Sequence, residues 1–309
     1  KKYDENGNIS KFLADNDYES KVGNPMYNDN LNSRDESRQL MLSDYFQVEY
    51  NPLKELKLRG KFGITHYDKD AENFVSPDDT RYESANALKR GYYSFGNTKT
   101  NNIEGDITAI YATVLKDVHR INLAWGANIN ESKVTLQGYS AQGFPSGNFT
   151  YPSFSNGYPE GGRPSYSESV SRSVSTYLTG GYSFMDRYLV DLSYRMNGSS
   201  VFGSNKKYIN TWSVGLGWNI HNEEFVKKNL PFINYFKIRG SIGNPGNQNY
   251  DSSLSLTTFQ YSYTAYNFFG LSSVLLNMGN RNLEWQTTLD RNIGLDLTMF
   301  DNRLSLTMD

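Results

Sequence analysis

The feature that most constrains this chain is the alternation along residues 208–220. Tyr208, Trp212, Val214, Leu216, Trp218 and Ile220 share one side, with Asn210 their polar exception, and Ile209, Thr211, Ser213, Gly215, Gly217 and Asn219 share the other. Period two is the mark of a β-strand, because successive side chains point to opposite faces. From Tyr208 to Trp218 there are ten steps, about 33 Å of strand. Tilted by about 40°, such a strand rises about 25 Å, the height of the apolar band of an outer-membrane barrel.

The pattern recurs. In 119–130, Ile121, Leu123, Trp125, Ala127 and Ile129 oppose Arg120, Asn122, Ala124, Gly126, Asn128 and Asn130. In 188–197, Tyr188, Val190, Leu192, Tyr194 and Met196 oppose Leu189, Asp191, Ser193, Arg195 and Asn197. In 56–67, Leu56, Leu58, Phe62 and Ile64 oppose Lys57, Arg59, Lys61 and Thr65. A row of charges is heavily penalised in the dry core of a sandwich, whereas beside a water-filled lumen it costs little. The expected lumen-facing residues are therefore Lys57, Arg59, Lys61, Glu104, Asp106, Arg120, Asp191, Arg195, Lys237 and Arg239. Their mixed signs fit a solvated wall rather than a single-sign selectivity ring.

Composition narrows the alternatives. A mean hydropathy of -0.65 beside 15% aromatic residues fits neither a disordered chain, which is poor in aromatics, nor an ordinary soluble core. A helical span needs roughly 20 apolar residues, and the longest unbroken apolar run is Ala109-Ile110-Tyr111-Ala112. The balance of 31 Lys+Arg against 33 Asp+Glu argues against a nucleic-acid binder. With no cysteine, thiol catalysis and thiolate metal sites are excluded, and His66, His119 and His221 have no metalloprotease spacing. No apolar leader is read in residues 1–17, and the chain stops within a strand-like segment. The expectation is an internal piece of a longer protein: a polar lead-in over 1–39, then strands and loops over 40–309.

The links are lopsided. Tight turns are expected at 51–56, 116–119, 185–187 and 300–303. Long segments rich in Gly, Asn, Ser and Tyr are expected at 68–97, 132–171, 198–207 and 244–284, and a short helix near 223–228. Alternating short and long links are the habit of transmembrane barrels, with short periplasmic turns and long extracellular loops. The expected fold is all-β, part of a large antiparallel transmembrane barrel. Its ten strands are 40–50, 56–67, 99–114, 119–131, 172–184, 188–197, 208–220, 234–243, 285–299 and 303–309. Arg291 is out of place in the last long strand, on the outward row of Thr287, Leu289, Ile293, Leu295, Leu297 and Met299. A cation at the midplane costs about 2–4 kcal/mol, so it must snorkel, lie near a rim, face a partner chain, or follow a bulge.

The aromatic loops are the best candidates for ligand or lid contact: Tyr139, Phe144, Phe149, Tyr151, Phe154, Tyr158 and Tyr166 in one, Tyr261, Tyr263, Tyr266, Phe268 and Phe269 in another. Such rings stack on sugars or hold peptide side chains, and equally pack loops together. Trp125, Tyr208, Trp212, Trp218 and Trp285 are expected to anchor the membrane interface. Other motifs are weak. Asp4-Glu5-Asn6-Gly7-Asn8 lacks the sixth-position Gly and twelfth-position Glu of a calcium loop, and reads as a turn. Gly138-Tyr139-Ser140-Ala141-Gln142 lacks the second glycine of a nucleophile elbow. No metal, no cofactor and no catalytic residue is expected, and so no enzyme.

A resemblance enters with Tyr194-Arg195-Met196-Asn197-Gly198-Ser199-Ser200-Val201-Phe202-Gly203, then Gly217-Trp218-Asn219-Ile220 with Glu224-Phe225. It continues with Lys237-Ile238-Arg239-Gly240-Ser241-Ile242-Gly243-Asn244, then Gly246-Asn247-Gln248 and Asn282-Leu283-Glu284-Trp285. Asn292-Ile293-Gly294-Leu295-Asp296 and Phe300-Asp301-Asn302-Arg303-Leu304 complete the order, and Asn51-Pro52-Leu53-Lys54-Glu55-Leu56-Lys57-Leu58-Arg59 extends it towards the amino end. This order and spacing resembles the barrel of SusC/RagA-like TonB-dependent transporters of Bacteroidetes outer membranes. Asn197 stands where that family usually has Asp, and Gln286 where it has Glu. Residues 68–97 and 132–171 match poorly, as variable outer loops do. The resemblance implies a plug and a TonB-contacting segment, neither of which is in this chain, and TonB-energised import of a bulky glycan or peptide beneath a SusD-like surface lipoprotein. In a bacterial barrel the sequon Asn148-Phe149-Thr150 carries no meaning. A passive porin or adhesin barrel shares the periodicity, and a soluble carbohydrate-binding β-protein is the remaining alternative, with shorter strands.

Overall fold

The computed structural model describes residues 2–14, 21–247, 254–268 and 270–309. Ten antiparallel strands follow in chain order: β1 (Arg34–Leu53), β2 (Leu56–Val75), β3 (Tyr92–Leu115), β4 (His119–Gln142), β5 (Ser165–Phe184), β6 (Tyr188–Ser199), β7 (Tyr208–Asn219), β8 (Ile233–Gly243), β9 (Asp290–Met299) and β10 (Leu304–Met308). They form one sheet in which each strand pairs with its sequence neighbour. The tight turns dictate the pairings β1–β2, β3–β4, β5–β6 and β9–β10, since so short a connection leaves a strand nowhere to go but back beside its predecessor; longer links join the others.

The tight turns carry unusual backbone. Lys116 and Asp117 have φ of 50° and 58°, and Met185 and Asp186 both have φ of 54°. Val118 N donates to Leu115 O at 3.2 Å and Arg187 N to Phe184 O at 2.9 Å. Positive φ at both central residues is the mirror-image turn that matches strand twist. Here it is made without glycine.

The strands at the start of the chain are longer than the alternation suggests. β1 begins at Arg34 rather than residue 40, β2 runs on to Val75, and β3 and β4 reach 24 residues each. The expected links 68–97 and 132–171 shrink accordingly to 76–91 and 143–164. Beyond the apolar band both faces are polar, so the alternation fades while the backbone ladder continues. At the other end the reverse holds. β9 begins only at Asp290, and Gln286–Thr287 pairs instead with Gly246–Asn247. Thr287 and Leu289 are therefore not on β9, and Arg291 is its second residue, eight steps from Met299 at the turn end. Eight steps are about 26 Å of strand, or about 20 Å of rise at a tilt of about 40°, which puts Arg291 about 5 Å inside the far rim, within reach of it by snorkelling. The expected long link 244–284 holds a hairpin of Thr258–Asn267 and Gly270–Asn277. Among the described residues there are two short α-helices, α1 (Pro25–Asp29) and α2 (Glu224–Asn229), the second at the place expected.

The chain divides into two compact units. The first, residues 1–43, 65–101 and 133–170, holds a small core of Phe74, Tyr93, Ala141 and Phe144, with Phe95 and Tyr139 packed on it. Phe74 and Phe144 meet edge-on at 5.1 Å. In the second, residues 44–64, 102–132 and 171–309, register sorts the side chains into two faces. The row Phe184, Tyr188, Trp218, Ile238, Leu295, Met308 crosses six strands on one face. Two rows on the other face read Gly181, Asp191, Gly215, Ser241, Asn292 and Asn219, Lys237, Asp296, Thr307, with Leu189, Gly217, Arg239 and Gly294 between them.

Candidate functional site: the two faces and the outer loops

The apolar face is open rather than packed. Phe62, Ile107, Leu123, Ile129, Leu192 and Leu216 are all between 45% and 60% exposed. A continuous apolar surface of this extent is not left to water in a folded monomer; hydrocarbon is the solvent that suits it.

The opposite face carries the charges, and the structure pairs many of them laterally. Lys61 Nζ lies 3.1 Å from Glu104 Oε1 and 4.3 Å above the ring of Tyr45. Arg239 Nε lies 3.2 Å from Asp296. Lys57 is 3.6 Å from Glu49, and Arg120 is 3.0 Å from Asp186 in the turn. Arg195 donates to Asn197 Oδ1 at 2.7 Å and Ser175 Oγ at 3.0 Å, and Ser175 in turn donates to Asn128 at 2.8 Å. Asp106 accepts from Thr108 at 2.9 Å. Among the described residues Arg59, Asp191 and Lys237 have no ion-pair partner. Pairs this exposed contribute little stability; what they produce is a wall of alternating charge. Gly126 sits beneath Tyr177 on this face. An added Cβ would lie 2.3 Å from the ring, so the position admits only glycine while the tyrosine lies flat.

The first unit holds the expected aromatic contacts of residues 139–166. Tyr139 is not in a loop: it lies on β4 and packs against Phe95 at 5.8 Å and Tyr158 at 6.4 Å. Phe144 is buried at 3% exposure inside the core and is out of reach of any ligand. A long aromatic-rich segment cannot hold its own fold without burying some rings, and Phe144 is one of them. Phe149 and Phe154 meet at 4.9 Å at the surface with their planes tilted by 56°, and Tyr151 and Tyr158 are exposed. Tyr166 is on β5, exposed, with its hydroxyl 2.9 Å from Glu168. A cavity of about 510 Å³ opens beside Tyr139, bordered by Tyr92, Phe95, Asn97, Gln137 and Arg163. Sequence reading missed all of these but Tyr139: Tyr92, Phe95, Asn97 and Gln137 lie on strands beyond the apolar band, where no alternation marks them, and Arg163 lies in the link 143–164. In the second unit Tyr261 and Phe268 are exposed. The side chains of Tyr263 and Tyr266, with Phe269 and Gln248, lie outside the described residues.

The expected interface aromatics divide. Tyr208 and Trp218 stand at opposite ends of β7, and Trp218 stacks on Tyr188 at 6.4 Å. Trp125 is six residues from the start of β4 and Trp212 six before Trp218, on the apolar face but inside the band. Trp285 is a correction: it lies outside the sheet and stacks at 5.0 Å on Phe202, which is 2% exposed. Its ring is engaged with a loop residue and not with a neighbouring strand of the sheet.

One buried carboxylate ties a turn end together. Glu223 accepts from Tyr188 Oη at 2.9 Å, Trp218 Nε1 at 3.0 Å and Arg187 Nη1 at 3.2 Å. The hydrogen bonds from Trp218 and then Tyr188 hold it below the ordinary carboxylate range, against the effect of burial and with help from Arg187. Asp4 makes the turn expected of it, accepting from the backbone of Asn6 and Asn8. Ser140 shares a 2.8 Å hydrogen bond with Tyr92 and has no histidine beside it.

An antiparallel sheet of ten neighbour-paired strands with one lipid-seeking and one hydrated face is part of the wall of a transmembrane β-barrel. Residues 2–309 match the family described as TonB dependent receptor-like, beta-barrel, and the chain belongs to that family of outer-membrane proteins. It is 27% identical over 308 residues to TonB-dependent receptor P26 of Formosa agariphila, a match covering 98% of this chain and 30% of that one. TonB-dependent receptor SusC of Bacteroides thetaiotaomicron is 30% identical over 141 residues, 44% of this chain and 14% of the receptor. The structure of the RagAB peptide transporter has the same fold, with TM-score 0.84 at 20% identity over 98% of this chain and 33% of that chain. This chain thus spans about a third of the length of the proteins it matches end to end.

Proposed function

We infer that this chain forms part of the barrel wall of a SusC/RagA-type importer, which takes up a bulky nutrient, glycan or peptide, under a SusD-like surface lipoprotein. Ligand meets the outer aromatic residues first. It then passes the polar face, where Lys57, Arg59, Lys61, Glu104, Asp106, Arg120, Asp191, Arg195, Lys237 and Arg239 line the path. No covalent step is involved: TonB, acting on a plug carried elsewhere in the full protein, opens the route. The observation that supports this most is the two-faced sheet in a chain matching the family over residues 2–309. The mixed charges suit a hydrated passage for an uncharged or zwitterionic solute. The name of RagAB speaks for a peptide and the Asn, Gln and tyrosine lining of the outer cavity for either class.

The test is made in the full-length protein. Replacing Tyr139 and Tyr158 with alanine, or deleting 149–154, should lower uptake or lipoprotein association while heat-modifiable migration of the barrel is unchanged. Uptake that persists after the proton gradient is dissipated would instead identify a passive porin.

A further inference from the structure

We propose that the polar face of β6 to β9 holds a subsite for an extended peptide, gripped through two oppositely charged side chains two residues apart, the cation on Asp191 and the anion on Lys237. The proposal rests on the importer reading above and narrows its solute to a peptide.

The site is a trough. A cavity of about 190 Å³ has Asp191, Gly215, Gly217, Lys237, Ser241 and Asn292 in its lining. A second, about 300 Å³, shares Ser241 and Asn292 and continues towards the long-loop end past Ser193, Thr211, Ser213 and Asp290. Register puts these residues on the polar face. Asp191 pairs with Gly215 and Ser193 with Ser213, Ser241 lies between Gly215 and Asn292, and Gly243 lies between Ser213 and Asp290. Along β7 the trough runs from Thr211 to Gly217, six steps or about 20 Å, the length of about six extended residues.

Glycines keep its charges open. A Cβ at Gly181 would lie 3.3 Å from Asp191 Oδ1, and one at Gly215 would lie 3.9 Å from Oδ2, so the carboxylate is flanked by bare backbone on both sides. A Cβ at Gly217 would lie 3.3 Å from Lys237 Cε. The two charged side chains thus overhang β7 at positions two residues, or about 7 Å, apart. Neither has an ion-pair partner among the described residues. Arg239, the third charge of that lining, is already held by Asp296 at 3.2 Å and by Asp309.

Spacing and sign then name the ligand. In an extended chain residues i and i+2 point to the same side, about 7 Å apart. A Lys or Arg and an Asp or Glu at those two positions meet Asp191 and Lys237 together. The hydroxyls of Ser193, Thr211, Ser213 and Ser241 both donate and accept, which suits the N–H and C=O groups of a passing backbone. A neutral oligosaccharide would use the hydroxyls and leave both charges unmatched, so the lining favours a peptide.

The experiment is proton-gradient-dependent uptake by cells carrying the full-length receptor and its lipoprotein. End-blocked heptapeptides with Lys-Ala-Glu, adjacent Lys-Glu or neutral Gln-Ala-Gln at their centre compete in one mixture, read by mass spectrometry. An exposed ion pair is worth about threefold. Wild type should therefore prefer the Lys-Ala-Glu peptide about tenfold over the neutral one. The adjacent Lys-Glu peptide, whose charges point to opposite sides, should gain only about threefold. Asp191→Lys should turn the preference to a Glu-Ala-Glu peptide and Lys237→Asp to a Lys-Ala-Lys peptide, and the double variant D191K/K237D should restore Lys-Ala-Glu. Heat-modifiable migration confirms that each variant is folded. Equal uptake of the three peptides by wild type, or an unchanged preference in both single variants, overturns the subsite and leaves the importer standing. An equal loss for every peptide in both single variants makes the trough a seat for the plug and also overturns it. Gradient-dependent uptake of a neutral oligosaccharide with none of any peptide overturns it in favour of a glycan. Uptake of no solute, or uptake without a gradient, removes the importer reading as well.

Discussion

Leu192 offers the sharpest test of which face meets lipid. It lies on β6 four residues after Tyr188, about 13 Å along the strand and about 10 Å up a band about 25 Å tall. Its side chain is 52% exposed and paired with Val214 and Gly180 on the apolar face. Arginine at that depth costs about 2–4 kcal/mol. Ser193, one residue on, pairs with Ser213 and Thr179 on the polar face, so Ser193→Arg should change stability by less than about 1 kcal/mol. Leu216, two residues from Trp218, lies about 5 Å above the same rim, and Leu216→Arg should fall between the two. The assay is reversible denaturant unfolding of the full-length protein in lipid vesicles, followed by tryptophan fluorescence. The order Leu192 first, Leu216 second and Ser193 last is required. Equal losses at Leu192 and Ser193, or a larger loss at Ser193, would refute the register and with it the lumen assignment.

Three further outcomes are expected. Replacing Lys116-Asp117 by Asn-Gly should raise stability by about 1 kcal/mol, because both positions hold positive φ without glycine; no gain in vesicle unfolding would mean the turn relaxes. Phe144→Ala should cost about 3–5 kcal/mol as a core truncation, while exposed Tyr151→Ala should stay within about 0.5 kcal/mol, and thermal unfolding distinguishes them. Since Glu223 titrates below its unfolded value, its contribution is full above the ordinary carboxylate pKa and is lost as pH falls through the folded one. A melting profile from neutral to acid pH should therefore fall more steeply in wild type than in Glu223→Gln, and identical slopes would remove Glu223 from the account.

The sequence alone determined the strands inside the membrane band, because there the two faces meet different solvents and every second residue must be apolar. Segments 188–197 and 208–220 appear almost unchanged as β6 and β7, and the turn positions follow from where alternation stops. The sequence also determined which side carries Lys61, Asp191 and Arg239. Tertiary structure alone decided what happens where that contrast ends. Above the band both faces are wet, so nothing in the sequence distinguishes the outer halves of β3 and β4 from loop; only cross-strand hydrogen bonds do. The same holds for aromatic rings, whose composition is identical in a core, a girdle or a binding surface. Phe144 went to the core because Phe74 and Tyr93 arrive beside it from distant strands, and Trp285 left the sheet because Phe202 was there to stack on. Those partners lie tens of residues away, and no local pattern announces them.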